Sequence, residues 1–231
     1  PPKVTAVPGD GVVTLYWDRS AESTQDKYMG NITNGADLYD FEGYKIYRAT
    51  DFEFNDAYTI TDGDGNPTFL EAYVQDGIKA QWDLVDGKSG WHPVDLNGLK
   101  FHLGSETGLV HSYVDNNVVN GQRYYYAVVS YDYGGDLTNN IIPSDSPMKL
   151  RVNPLTGVVD LGPNVVEVVP SPPSAGYVDA DIENGQIDHV FGASSGEVFL
   201  EVVNPQMVKN DHTYQITFED TLFLNQQGLA G

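Results

Sequence analysis

The sequence predicts an all-β fold in which the strands form a sandwich. Apolar and polar residues alternate with a period of two in several short runs, and turn-forming residues separate these runs. In the run from Val12 to Asp18, for example, Val13, Leu15 and Trp17 fall on one face. An alternation of this kind is typical of a strand with one buried face, and a tryptophan on that face would anchor the core.

The central strand of the sandwich is predicted over Tyr124 to Ser130. The dipeptide Asn120-Gly121 precedes it and is a strong turn signal. The run that follows is rich in tyrosine and valine, which favour strands, and its even-numbered residues share one face.

A second long strand is predicted over Phe41 to Ala49, with Tyr44 and Ile46 on one face and Lys45 and Tyr47 on the other. A shorter strand is predicted at the start of the chain. The stretch from Arg19 to Asp40 is polar, acidic and glycine-containing, and we assign no element to it.

Five segments in this order resemble a fibronectin type III module: 12–18, 43–48, 113–115, 120–130 and 144–147. Trp17 matches the core tryptophan that this family carries on its second strand, and Tyr124 matches its tyrosine corner. The resemblance implies a two-sheet sandwich with a spacer, adhesive or docking role and without catalysis. A shorter similarity, over Asn210 to Phe218, is to modules of large secreted surface proteins of gliding bacteria.

The predicted domain organisation has three parts. Residues 1–153 form the fibronectin type III-like sandwich, which carries an insertion at about 50–108 made of short strands and glycine-rich turns. Residues 154–173 form a proline-rich connector that donates edge strands. Residues 174–231 form a smaller β-domain, not necessarily complete, with strands over Glu197 to Val203 and Thr213 to Glu219.

The composition excludes several classes of partner. Acidic residues number 33 and basic residues 12, for a net charge of -21, so the surface repels nucleic acid and anionic membranes. The chain has no cysteine, which excludes disulfides, thiolate metal sites and a cysteine nucleophile. No apolar run is long enough for membrane insertion. The chain begins Pro1-Pro2 and not with methionine, so we expect a processed piece of something longer. Its richness in tyrosine, glycine, aspartate and asparagine suits an extracellular or cell-surface protein.

A calcium site is predicted at Asp62, Asp64 and Asn66 in the insertion. Oxygen-bearing side chains at alternate positions, separated by glycines, can turn toward one hard cation. The loop is not an EF-hand, because Pro67 and Tyr73 stand where that loop needs glycine and glutamate. A plain polar hairpin turn is the alternative, and a second acidic pair in the loop after the central strand, Asp132 and Asp136, is a weaker candidate.

The aromatic residues Tyr73, Trp82 and Trp91 of the insertion are candidates for carbohydrate binding, since flat rings stack on sugar faces. The alternative is that these rings fill the insertion's own core. The pattern Gly192 to Gly196 matches a hydrolase nucleophile elbow, but a β-patterned segment follows it where a helix is required.

The sequence therefore predicts no catalytic residues and favours a structural or assembly module of a surface protein, fibre or layer. Its partners would be other modules or copies of itself. The alternative is a carbohydrate-binding accessory module that takes polysaccharide through the insertion. An enzyme is the third and least supported hypothesis.

Overall fold

Nearly all of the regular structure is β-strand. The computed structural model describes residues 1–35, 38–61, 64–156, 159–178, 187–193, 195–209 and 212–218. The described strands are β1 (Val4–Gly9), β2 (Val12–Trp17), β3 (Phe41–Ala49), β4 (Thr59–Thr61), β5 (Pro67–Leu70), β6 (Val74–Gln75), β7 (Ile78–Lys79), β8 (Gln81–Asp83), β9 (Trp91–Leu96), β10 (Leu99–His102), β11 (Ser112–Asp115), β12 (Tyr124–Asp132), β13 (Leu150–Val152), β14 (Val159–Leu161) and β15 (Val165–Val168). The described helices are α1 (Lys27–Ile32) and a short 3-10 helix (Pro205–Met207). The all-β prediction is confirmed.

Two antiparallel sheets share one hydrophobic core. The smaller sheet has the strand order β1-β2-β11, and the larger sheet has the order β15-β12-β3-β8. Leu15 and Trp17 of β2 pack in the same buried cluster as Tyr44 and Ile46 of β3 and Tyr126 of β12. The alternation in the sequence places these side chains on the faces that it predicted.

The larger sheet is covered on its second face as well. Tyr47 of β3 and Ala127 and Val129 of β12 are buried there, in a cluster with Phe54 and the partly buried Leu161. Antiparallel sheets often keep one face in water. Here neither face is free, and β3 and β12 are the interior of the molecule.

The insertion at 50–108 supplies part of that cover. Its described residues form seven short strands, β4 to β10, and no helix. Strand β8 is an edge of the larger sheet, and the others pair as three two-stranded hairpins. Phe69 and Phe101 of these hairpins pack against Tyr131 of β12.

The proline-rich segment 154–173 holds two strands. Strand β14 pairs with β13, and β15 is the edge strand of the larger sheet beside β12. The chain divides into two compact units, Pro1–Ala175 and Gly176–Gly231, and this segment belongs to the first.

The described residues of Gly176–Gly231 contain the 3-10 helix and one isolated bridge residue, Phe199, but no strand. The sequence predicts strands over 197–203 and 213–219, and Glu219 lies outside the described part of the chain. Phe199, Tyr214 and Phe218 are exposed. An alternating pattern gives a strand only where a partner strand completes its hydrogen bonds, and the described residues of this unit provide none.

Helix α1 lies in the stretch to which the sequence analysis assigned no element. Asp26 is its N-cap and accepts hydrogen bonds from the backbone N–H groups of Tyr28 and Met29, at 2.7 and 2.9 Å. The helix has six residues and buries one side chain, Met29. It is too short to produce a helical period in the sequence, so its N-cap is the one readable signal.

Asp115 is fully buried and joins the two sheets through hydrogen bonds. Its Oδ2 accepts from Arg48 Nη1 at 2.9 Å and from the Tyr126 hydroxyl at 2.6 Å. Its Oδ1 accepts from the backbone N–H of Asn117 at 2.9 Å and from the Tyr73 hydroxyl at 3.3 Å. One carboxylate on β11 thus has four donors, two of them from the larger sheet.

We expect Asp115→Asn to lower the free energy of unfolding by about 3 kcal/mol or more, because breaking a buried ion pair leaves the Arg48 guanidinium without its counter-charge. Denaturant unfolding followed by tyrosine and tryptophan fluorescence measures this change.

Glu167→Gln is the matched control. Glu167 pairs with Arg123 at 3.1 Å, but both side chains are largely exposed. An exposed pair contributes less than about 1 kcal/mol, so a loss at Asp115 no larger than the loss at Glu167 would contradict the role of Asp115.

Candidate functional site

The calcium loop predicted from the sequence joins β4 to β5. Asp62 lies outside the described residues, and Asp64 and Asn66 are exposed. Thr61 and Pro67 are partners in the antiparallel register, so Asp64 and Asn66 lie between the two strands of a hairpin. The group of acidic side chains with metal-binding spacing that the described residues contain lies elsewhere.

The three candidate sugar-binding rings do not share a surface. Trp82 packs on the core, with its ring centroid 5.8 Å from that of Trp17 and 5.6 Å from that of Tyr113. Tyr73 packs against the same core and lies beneath the guanidinium of Arg48, at 4.0 Å. Both rings are therefore half-buried against the core.

Trp91 is 62% exposed and lies elsewhere in the fold. Its ring stands edge-on to His102, with centroids 4.9 Å apart. It lines a small cavity together with Lys45 and Phe101. Lys45 follows the core residue Tyr44 along β3, so this cavity opens on the face of the larger sheet that turns away from the sandwich core.

An acidic cavity of about 460 Å³ lies where the starts of α1 and β3 meet the end of β12. Asp26 caps α1, Asp40 directly precedes β3, and Asp132 is the last residue of β12. One carboxylate oxygen from each residue lies within 4.8 Å of those of the other two. Segments far apart in the sequence thus bring three carboxylates to one point.

The three carboxylates differ in their hydrogen bonding. Asp26 Oδ1 caps the helix. The two oxygens of Asp132 accept from the backbone N–H and the hydroxyl of Ser144, at 2.8 and 2.7 Å. Asp40 is only 6% exposed, and its Oδ2 is buried without a hydrogen-bond partner.

Charge repulsion and burial act together at this cavity. Burial, followed by the charges of Asp132 and Asp26, raises the pKa of Asp40 to about 7. Burial also raises the pKa of Asp132, against the two hydrogen bonds from Ser144. In the described part of the chain, no lysine, arginine or histidine forms an ion pair with any of the three carboxylates.

Asp145 also lines the cavity, but it is already neutralised. Lys45 Nζ lies 3.4 Å from its Oδ1, and the Tyr47 hydroxyl donates to its Oδ2. Lys45 also stands 3.5 Å from the centre of the Phe101 ring, a cation–π arrangement. Burial lowers the pKa of Lys45, and the charge of Asp145 opposes this effect.

One member of the acidic cavity, Asp132, is a calcium candidate from the sequence, together with Asp136. Asp136 is exposed, and its Oδ1 accepts from the backbone N–H groups of Thr138 and Asn139 within its own loop. Asp26 carried a readable signal as a helix cap. No local pattern marks Asp40, whose partners are set by the tertiary fold.

No family model, curated protein or solved structure matches this chain. The resemblance to fibronectin type III modules accordingly depends on the residues given above. None of the helices in the described ranges is long and apolar enough to cross a membrane.

Glu42, the second residue of β3, is fully buried, and neither of its carboxylate oxygens has a hydrogen-bond partner. Burial, and then the charge of Asp86, raise its pKa to about 8. A group whose pKa is higher in the folded state binds more protons there, so stability falls as the pH rises between the two pKa values.

We therefore expect wild-type protein to lose stability relative to Glu42→Gln as the pH rises from about 5 to about 8, because only the wild type must ionise this buried group. Above about pH 8, the difference in the free energy of unfolding between the wild type and Glu42→Gln should be constant. Denaturant unfolding at a series of pH values, in metal-free buffer, measures it.

Glu53→Gln removes one carboxylate at an exposed position and serves as the control. If Glu42→Gln and Glu53→Gln show the same dependence on pH, then Glu42 is not the group responsible.

Proposed function

We propose that this chain is a non-enzymatic spacer or assembly module of an extracellular surface protein, with a fibronectin type III-like sandwich that links neighbouring modules. The observation that carries the proposal is the path of the chain. The sandwich's first strand begins at one end of the fold, and its last strand finishes at the opposite end.

Hydrogen bonds identify the two ends. At one end, the backbone N–H of Val4 donates to the carbonyl of Pro163, just before β15, at 2.8 Å. At the other, the N–H of Gly121 donates to the carbonyl of Pro170, after β15, at 2.9 Å. The N–H of Gly11, just past β1, donates to the side chain of Asn120 at that same end, at 2.8 Å.

Strands β1 and β15 therefore run in the same direction, and the ends are separated by the length of β1, about 20 Å for six residues. A module with this path can be placed in series with others without the chain doubling back. Tension applied along the chain would load the β1–β2 and β12–β15 pairs along their strands, so that their hydrogen bonds resist together.

Two side chains support the fibronectin type III resemblance. Trp17 is buried between the sheets, in contact with Tyr44. The Tyr124 hydroxyl accepts from the backbone N–H of Val119, five residues upstream, at 3.0 Å. A tyrosine after a glycine-containing turn that bonds back to the preceding backbone is the arrangement of a tyrosine corner.

The alternative of carbohydrate binding would depend mainly on Trp91, which is 62% exposed, because Trp82 and Tyr73 are half-buried against the core. The net charge of -21 favours protein modules over nucleic acid as partners.

The proposal predicts high mechanical resistance along the path of the chain. The protein has no cysteine, so Lys3→Cys with Ser171→Cys gives two defined attachment points for single-molecule pulling on the full chain. We expect a higher unfolding force in this geometry than with Lys3→Cys and Arg19→Cys.

The second pair is the matched control. Val4 and Trp17 are register partners at the open end of the β1–β2 hairpin, so pulling beside them breaks its hydrogen bonds one after another. An unfolding force along the chain path that is equal to or below the force in this geometry would argue against a role in transmitting tension.

A further inference from the structure

We propose that the acidic cavity formed by Asp26, Asp40 and Asp132 is a binding site for one calcium ion, which fastens helix α1 to the ends of β3 and β12. This inference is independent of the spacer function. It also differs from the calcium site predicted at Asp62, Asp64 and Asn66, since no residue is shared.

The unpartnered oxygen of Asp40 distinguishes this cavity from an ordinary acidic surface. Asp40 is only 6% exposed, and its Oδ2 has no hydrogen-bond partner. A buried carboxylate without a donor is costly, and native structures usually satisfy such groups with a protein group, a water molecule or an ion. The oxygen it contributes to the cluster lies within 4.8 Å of oxygens of Asp26 and Asp132.

The spacing suits calcium. Oxygens bound to one calcium ion at about 2.3–2.6 Å lie up to about 5 Å apart, so all three carboxylates fit one coordination sphere. Magnesium demands a near-ideal octahedron at about 2.0–2.1 Å and is usually held by one or two carboxylates together with water, so three carboxylates favour calcium. The all-oxygen set, without histidine or cysteine, does not favour zinc.

The cavity can supply further oxygen ligands. The side chains of Gln25, Ser130 and Ser144 line it, and its volume of about 460 Å³ leaves room for water. Calcium takes six to eight oxygens in flexible geometry, so three carboxylates with neutral oxygens and water are a sufficient set.

The three carboxylates have no ion-pair partner among the described residues. Burial and the charges of the other two carboxylates raise the pKa of Asp40 and outweigh the charge of Lys88, which lowers it. Asp145, the fourth carboxylate of the lining, already has Lys45 at 3.4 Å. Lys27 also lines the cavity, but within the described residues it forms no ion pair with the three. A divalent cation would therefore remove repulsion that the protein itself does not cancel.

The test is calorimetric titration of the full chain with calcium chloride after chelator treatment, together with thermal unfolding. We expect one ion per chain, with a dissociation constant of about 0.1–1 mM, as for extracellular calcium modules. At about 10 mM calcium the unfolding temperature should rise by about 3–10 °C. Magnesium should bind more weakly.

Asp40→Asn and Asp26→Asn are the test variants. Asparagine caps a helix as well as aspartate does, so Asp26→Asn keeps the start of α1 while it removes one charge. Both variants should weaken calcium binding by about tenfold or more. When a chelator has removed calcium, both variants should unfold at the wild-type temperature or above, because each removes one charge from the three carboxylates that repel one another.

Asp136→Asn and Asp64→Asn are the controls, and both should bind calcium as the wild type does. The proposal is overturned if the wild type shows no saturable binding, if Asp40→Asn and Asp26→Asn bind like the wild type, or if magnesium binds as tightly as calcium. Loss of binding in Asp64→Asn alone would place the ion in the β4–β5 turn instead.

Discussion

Strands β3 and β12 pair along eight registered positions, and both faces of this pair are buried. The rest of the fold depends on this constraint. The smaller sheet covers one face, and the insertion together with β13 and β14 covers the other. Because a strand without a solvated face cannot leave polar groups unpaired, each polar side chain at its centre needs a partner inside the protein.

That requirement explains where the charges lie. Within β3, the buried Lys45 pairs with Asp145 and the half-buried Arg48 pairs with Asp115, so each cation has its anion. The rule fails only near the start of the strand, where Asp40 and Glu42 have buried oxygens without donors. Burial without a hydrogen-bond donor raises the pKa of such a carboxyl group, and at this end of the sheet it raises the pKa of Asp40 to about 7 and that of Glu42 to about 8.

The sequence predicted the elements whose signal is local. Alternation assigned the faces of β2, β3 and β12, because burial of one face imposes a period of two. It could not predict that the second face of β3 is also covered, since Tyr47 and Lys45 fit a half-exposed strand equally well. The acidic cavity joins segments that only the tertiary fold brings together. The sequence also could not predict where the ring of Trp82 lies, because an aromatic residue suits a core and a binding surface alike.

Because both faces of the larger sheet are covered, the insertion has a structural role. An insertion that was only added to a finished sandwich could be excised or transplanted without exposing the core. In this protein, Phe69 and Phe101 pack on Tyr131, so the added residues and the sandwich share one interior. Trimming the chain to a minimal module would expose an apolar surface in the middle of the larger sheet. The insertion and the sandwich can therefore be exchanged between proteins only as a single unit.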